Sequence, residues 1–270
     1  FVHVWGMSKW MGLYEKMVCE LVRDSGGAVL ATNEEMVMHM KIAGWQAPIY
    51  NISGLAFDKH EVRGRVSELV PFNQRKMRVG FAARWDQEKQ PDFYMDLIEL
   101  YFKRNPTVDT EFCVFSGSKL RSNNISYMQR TKDMEQHGLL KVYEDLEKDE
   151  YYRLLTDTRV LFNCALQDWV SNTVSEADSL GCNVVYPAYR SFPETFANDS
   201  DRLYVPWSKD DAAIKLYKAI HEPHRNQGKI SDYTDKTIDR ICDILEGKGE
   251  QYLRMSTDYR KHTRETKYGN

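Results

Sequence analysis

Short apolar runs and helix-spaced apolar positions take turns along most of this chain. Phe1 to Trp5 reads as a strand already under way, so the expectation is that residues preceding it belong to the same domain. Ala28 to Thr32 is a compact apolar run. Asn33 then suits an N-cap, Glu34 to Ala43 a helix, and Gly44 its stop. Ile49 to Phe57 is extended through the turn at Ser53-Gly54. His60 to Lys76 is polar and charged, broken only by Val66, Leu69, Val70 and Phe72, and reads as a connection between domains.

Beyond that break the alternation is regular. Met77 to Ala83 is a strand that ends in the charged turn Arg84 to Lys89. Pro91 suits a first helical turn, and Phe93, Leu97, Ile98 and Tyr101 share one helical face. Asn105-Pro106 stops that helix. Strands are expected at Glu111 to Ser116, Lys141 to Tyr143, Arg159 to Leu166, Asn183 to Tyr186 and Leu203 to Val205. Helices are expected at Asp149 to Thr156, Thr173 to Leu180, Asp210 to His221 and, as one long element, Ser231 to Arg260. Residues 117–140 give no clear pattern.

Strands separated by helical crossovers imply parallel pairing, so the fold class is α/β, a doubly wound sheet. Such sheets bind ligands beyond the carboxyl ends of their strands, here just after Ala83, Ser116, Leu166 and Pro187. The expected division is residues 1–70, residues 71–230 and a carboxyl-terminal helix over 231–270 that packs back on the first domain.

Composition narrows the classes. The 270 residues are 42% hydrophobic and 12% aromatic, enough to build a core, and the net charge of -3 excludes an overall basic footprint for nucleic acid. Five scattered cysteines without a CxxC pair argue against a disulfide framework or a structural zinc and favour a reducing, cytoplasmic setting. The apolar runs are too short for a membrane span, and no targeting segment is read.

Three strand ends carry a joint pattern: Gly80-Phe81-Ala82-Ala83-Arg84-Trp85-Asp86-Gln87-Glu88-Lys89, then Asp168-Trp169-Val170-Ser171-Asn172-Thr173-Val174-Ser175-Glu176-Ala177, then Leu180 to Pro187 with Ser191-Phe192-Pro193-Glu194. This order resembles the carboxyl-terminal domain of retaining glycosyltransferases with the GT-B fold, of the family 4 type. The last run looks closest to the branch that mannosylates queuosine in tRNA, and phage DNA-base glycosyltransferases share the fold. The resemblance covers residues 77 to about 205 well and 28 to 58 more loosely. It implies two Rossmann-like domains, the amino-terminal one only partly present, and further protein segments that complete it. It also implies transfer from a nucleotide-diphosphate sugar, with a DNA or RNA base as acceptor. The sequence departs from the family at Asp168, usually Glu, and at Ser171, usually Gly.

In that frame Arg84 and Lys89 stabilise the leaving diphosphate without a metal or other cofactor, Arg as a planar fork and Lys as a point charge. Ser171, Asn172 and Thr173 open a helix whose free backbone N–H groups suit the diphosphate. Glu176 has two readings, a bond to the ribose hydroxyls or the acid of a capping box with Thr173. Asp168 orients the donor sugar or is a solvated loop acid. Glu194 and His3 are candidates for the donor or acceptor edge, each with an ordinary structural alternative. The basic tail Arg260 to Lys267 reads as a solvated helix end. A second class stays open: a GT-B half that no longer catalyses and serves as a binding module in a complex.

Overall fold

The computed structural model describes residues 9–54, 57–166, 168–225 and 229–256, leaving aside the side chains of 9–14, 229 and 231–235. The strand expected at Phe1 to Trp5, with His3, and the tail from Arg260 lie outside those residues. The chain divides into two compact units, one of Phe1–Leu55 with Lys236–Asn270 and one of Ala56–Asp235.

In the first unit, α1 (Lys9–Asp24) precedes β1 (Val29–Ala31), α2 (Glu34–Ile42) and β2 (Ile49–Asn51). Asn33 caps α2 as its sequence position implies, its Oδ1 accepting from the Met36 N–H at 2.8 Å. β1 and β2 run parallel, Val29 opposite Ile49. The amphipathic pattern of α2 buries Met36, Val37 and Met40 alongside Ala31, Trp45 and Ile49. The long helix expected to Arg260 is shorter. α10 (Lys229–Leu245) gives way at Gly247, whose φ of +75° a helix cannot continue, and β9 (Leu253–Met255) pairs antiparallel with β2.

The second unit holds α3 (Lys59–Gly64), β3 (Lys76–Phe81), α4 (Pro91–Arg104), β4 (Glu111–Phe115), α5 (Ile125–Gln136), β5 (Lys141–Tyr143), α6 (Lys148–Thr156), β6 (Thr158–Phe162), α7 (Asn172–Ser179), β7 (Asn183–Pro187), α8 (Phe192–Thr195), β8 (Leu203–Tyr204), α9 (Lys209–His221) and the start of α10. Its six strands stand in the order β5-β4-β3-β6-β7-β8, all parallel. Counted from β3 this is 3-2-1-4-5-6, so chain direction across the sheet switches between β3 and β6. That switch is where a doubly wound sheet opens a crevice.

The boundary between the units falls at Leu55/Ala56, whereas the polar composition of 60–76 places it at residue 70. Asp58 caps α3, and Val62 enters the core beside Leu155 and Leu180, which binds this stretch to the second unit. α5 fills the stretch that gave no pattern, capped by Asn124. The α4 face of Phe93, Leu97, Ile98 and Tyr101 is buried as its spacing implies. Under it the rings of Phe81, Tyr94, Phe162 and Tyr204 stack in sequence with centroids 4.9, 5.6 and 5.5 Å apart. The Tyr94 hydroxyl donates to the Val79 and Cys113 carbonyls, which satisfies its polar atom. Gly80 lets β3 and β4 close here, since a Cβ at that position would lie 2.2 Å from the Phe115 ring. The carboxyl ends of β3 and β6 are thereby held on a rigid aromatic floor.

Candidate functional site

Arg84 and Lys89 leave the same strand end in different directions. Arg84 is largely exposed, with a guanidinium nitrogen 2.5 Å from the Glu88 carboxylate and another 3.7 Å from Asp86. Lys89 turns inward and pairs with Asp168, with only 9% and 12% of the two side chains exposed. Beneath this pair the Cys164 thiol sits 3.3 Å from the Lys89 carbonyl and 3.2 Å from that of Gln90. Gln90 adopts φ +53° just before Pro91 opens α4, so the turn carrying Lys89 is fixed from both sides.

The capping box of Thr173 and Glu176, the alternative reading of that acid, does not form. Ser171 is the N-cap of α7, so the reciprocal acid would be required at Val174, and the cap makes no side-chain hydrogen bond. Thr173 is drawn instead into a cluster of three hydroxyls, 2.8 Å from Ser171 and 3.3 Å from Tyr186, with Ser171 3.4 Å from Tyr186. Tyr186 is fully buried, and desolvation pushes its phenol well above the ordinary range, so it acts here as a neutral hydroxyl. Glu176 reaches toward α6, where Lys148 Nζ lies 2.6 Å and Tyr152 Oη 3.1 Å from its Oε1.

A cleft of about 350 Å³ opens at the carboxyl ends of β3 and β4, lined among others by Ala83, Arg84, Ser116, Lys148, Thr173 and Glu176. A second, of about 690 Å³, adjoins it across Arg84, Ser116 and Ser118 and is walled by Trp85, Asp86 and Arg121. The structure therefore brings Arg84, Thr173 and Glu176 together. Lys89, Asp168, Ser171 and Asn172 do not line either cleft, though Ser171 touches Thr173. Glu194 is half-buried in α8 and also stands apart. Near it Arg190 lies 4.5 Å over the Trp169 ring, and the Ser191 hydroxyl donates to the Trp169 carbonyl, which ties the segment after Asp168 to the end of β7.

Sequence reasoning missed Lys148 and Tyr152. The signal was their i, i+4 spacing at the start of a helix, which places both on one face. Among the described residues, no group of three or more His, Cys, Asp or Glu side chains could hold a metal ion. No described helix is long and apolar enough to cross a membrane.

No protein-family model and no curated protein matches the chain. Solved structures do. A TarM mutant from S. aureus, in complex with fondaparinux, alpha-GlcNAc-glycerol and UDP, is 15% identical with a TM-score of 0.60, over 95% of this chain and 46% of that one. Sucrose-phosphate synthase from Thermosynechococcus elongatus gives 11% and 0.62, over 86% and 57%. A UDP-forming trehalose-phosphate synthase from Burkholderia xenovorans gives 10% and 0.64, over 93% and 68%. The chain spans about half the length of the first two. These are glycosyltransferases of the GT-B fold, and the fold of this chain is theirs.

Proposed function

We propose that this chain carries the donor-binding part of a glycosyltransferase that moves a sugar from a nucleoside-diphosphate sugar, with retention and without a metal ion. The observation that supports it is the meeting of Arg84, Thr173 and Glu176 in one cleft, at the carboxyl end of β3 and the start of α7. That is where a doubly wound sheet takes a nucleotide.

The roles follow from the chemistry. As the glycosidic bond to the diphosphate breaks, the leaving oxygens gain charge. Arg84 is largely exposed, its ion-pair partners among the described residues are Asp86 and Glu88, and it can exchange these carboxylates for phosphate oxygens at little cost. The backbone N–H groups at the start of α7, without a side-chain cap, add donors for the same anion. Glu176 takes the ribose hydroxyls. Asp168, held by Lys89, lines neither cleft, and its role in orienting the hydroxyls of the donor sugar rests on the sequence resemblance. The sequence resemblance supports a nucleic-acid base as acceptor, and a UDP complex among the similar structures supports uridine as the first nucleotide to try. All five cysteines are free thiols, which suits the cytoplasm.

The test is turnover. The protein is incubated with UDP- and GDP-sugars and with tRNA or DNA, and the acceptors are analysed by mass. A sugar mass added to a nucleoside, in the presence of EDTA and with the anomeric configuration kept, is the expected result. Nucleotide binding without transfer to any acceptor would favour a module that binds and does not catalyse.

A further inference from the structure

Glu176 is 6% exposed yet lines the donor cleft. A carboxylate so placed needs a partner for its charge. Both of its side-chain hydrogen bonds converge on one oxygen: Lys148 Nζ at 2.6 Å and Tyr152 Oη at 3.1 Å reach Oε1, and among the described residues no hydrogen bond or ion pair reaches Oε2. Lys148 heads α6 and Tyr152 follows one turn later, so the two grip Oε1 from one face. Lys148 is itself steadied, its ammonium 5.3 Å from the Tyr151 ring centre and 5.0 Å from that of Tyr152.

We infer that Lys148 is a positioning residue that fixes Glu176 for a vicinal diol, and thereby sets selectivity for a ribonucleotide donor over a 2′-deoxyribonucleotide. This rests on the donor-site reading above. A ribose offers two O–H donors side by side. An ionised carboxylate with one oxygen held and the other open accepts them through its remaining lone pairs. A deoxyribose supplies one donor and leaves a buried carboxylate oxygen unpaired, which is costly. The ammonium has a second effect. It offsets the Glu176 charge, so the cleft can take a diphosphate beside an acid without net repulsion. Without Lys148 the carboxylate keeps only the Tyr152 hydroxyl. It would then swing away from the position that Lys148 fixes, which removes its grip on the diol.

The measurement is the dissociation constant, by calorimetry, of UDP and GDP and of their 2′-deoxy counterparts. The variants are Lys148→Met, Lys148→Arg and Tyr152→Phe, each checked for its melting temperature. The parent is expected to prefer the ribonucleotide by roughly tenfold or more, the worth of a hydrogen bond to a charged group. Lys148→Met is expected to bring the preference within about threefold, and Lys148→Arg to keep most of it. Tyr152→Phe is expected to lower it in part. Because Glu176 is buried while the Lys148 side chain is half exposed, Lys148→Met is expected to melt earlier than the parent, so each preference is read well below the variant's own melting temperature. A parent that discriminates and a Lys148→Met that discriminates equally overturns this inference alone. A parent that binds none of the nucleotides overturns the donor-site reading and this inference with it.

Discussion

Lys89 and Asp168 form an ion pair across the ends of β3 and β6, each with about a tenth of its side chain in contact with solvent. Two loops that the sheet merely brings near are thereby locked together at its switch point. Removing one partner of a buried pair takes a counter-charge from the other, which costs about 3 kcal/mol. Lys89→Met and Asp168→Asn are each expected to lose about that much stability in chemical denaturation. The double variant is expected to fall short of the sum by about 1–3 kcal/mol. Additive losses would show that the two charges do not depend on each other.

Tyr186 joins Ser171 and Thr173 from the neighbouring strand β7. Its hydroxyl keeps the two others at the start of α7, where the proposal puts the diphosphate. Tyr186→Phe removes one oxygen from a buried ring. Nucleotide affinity is expected to drop about two- to tenfold, the worth of one neutral hydrogen bond, with little change in melting temperature. A lower melting temperature with unchanged affinity would make the hydroxyl structural only.

His224 is buried, neither ring nitrogen is hydrogen-bonded to the described residues, and burial pulls its pKa from 6.5 down to about 4. Arg202 and Lys218 push the same way, while Asp199 and Asp201 oppose. Above pH 6.5 the ring is neutral in both folded and unfolded chains, so it contributes nothing to pH dependence there. Below that value the unfolded chain takes up a proton that the folded one refuses, so stability falls as pH drops and levels off below about 4. The full loss is about 3 kcal/mol. His224→Gln is expected to flatten that part of the profile, read as the difference in unfolding free energy between parent and variant from pH 7 to 4. Parallel profiles would contradict it.

Much of the second unit was legible in the sequence because its strands are short apolar runs and α4 shows a clean helical face. That Arg84, Thr173 and Glu176 meet in one cleft was legible because they follow strand ends, and the doubly wound topology turns that position into proximity. Three things were not. The start of α7 was placed at Thr173 because Ser171 and Thr173 are equally good caps, and what decides is the Tyr186 hydroxyl, 13 residues beyond Thr173. The partner of Glu176 is Lys148, 28 residues away, brought there by packing that local pattern does not encode. Residues 253–255 carry no strong strand pattern, and they become β9 only because β2 offers an edge.

The central claim is that the cleft at Arg84 takes the diphosphate of a nucleotide donor, and calorimetric titration of UDP and GDP into the parent and into Arg84→Ala tests it most directly. Arg84 is exposed and its own ion pairs are weak, so the variant is expected to fold as the parent does. Loss of one charge-assisted contact, about 1.5–3 kcal/mol, is expected to weaken binding by about ten- to a hundredfold. Equal affinity in parent and variant, or no binding of either nucleotide to the parent, would contradict the account.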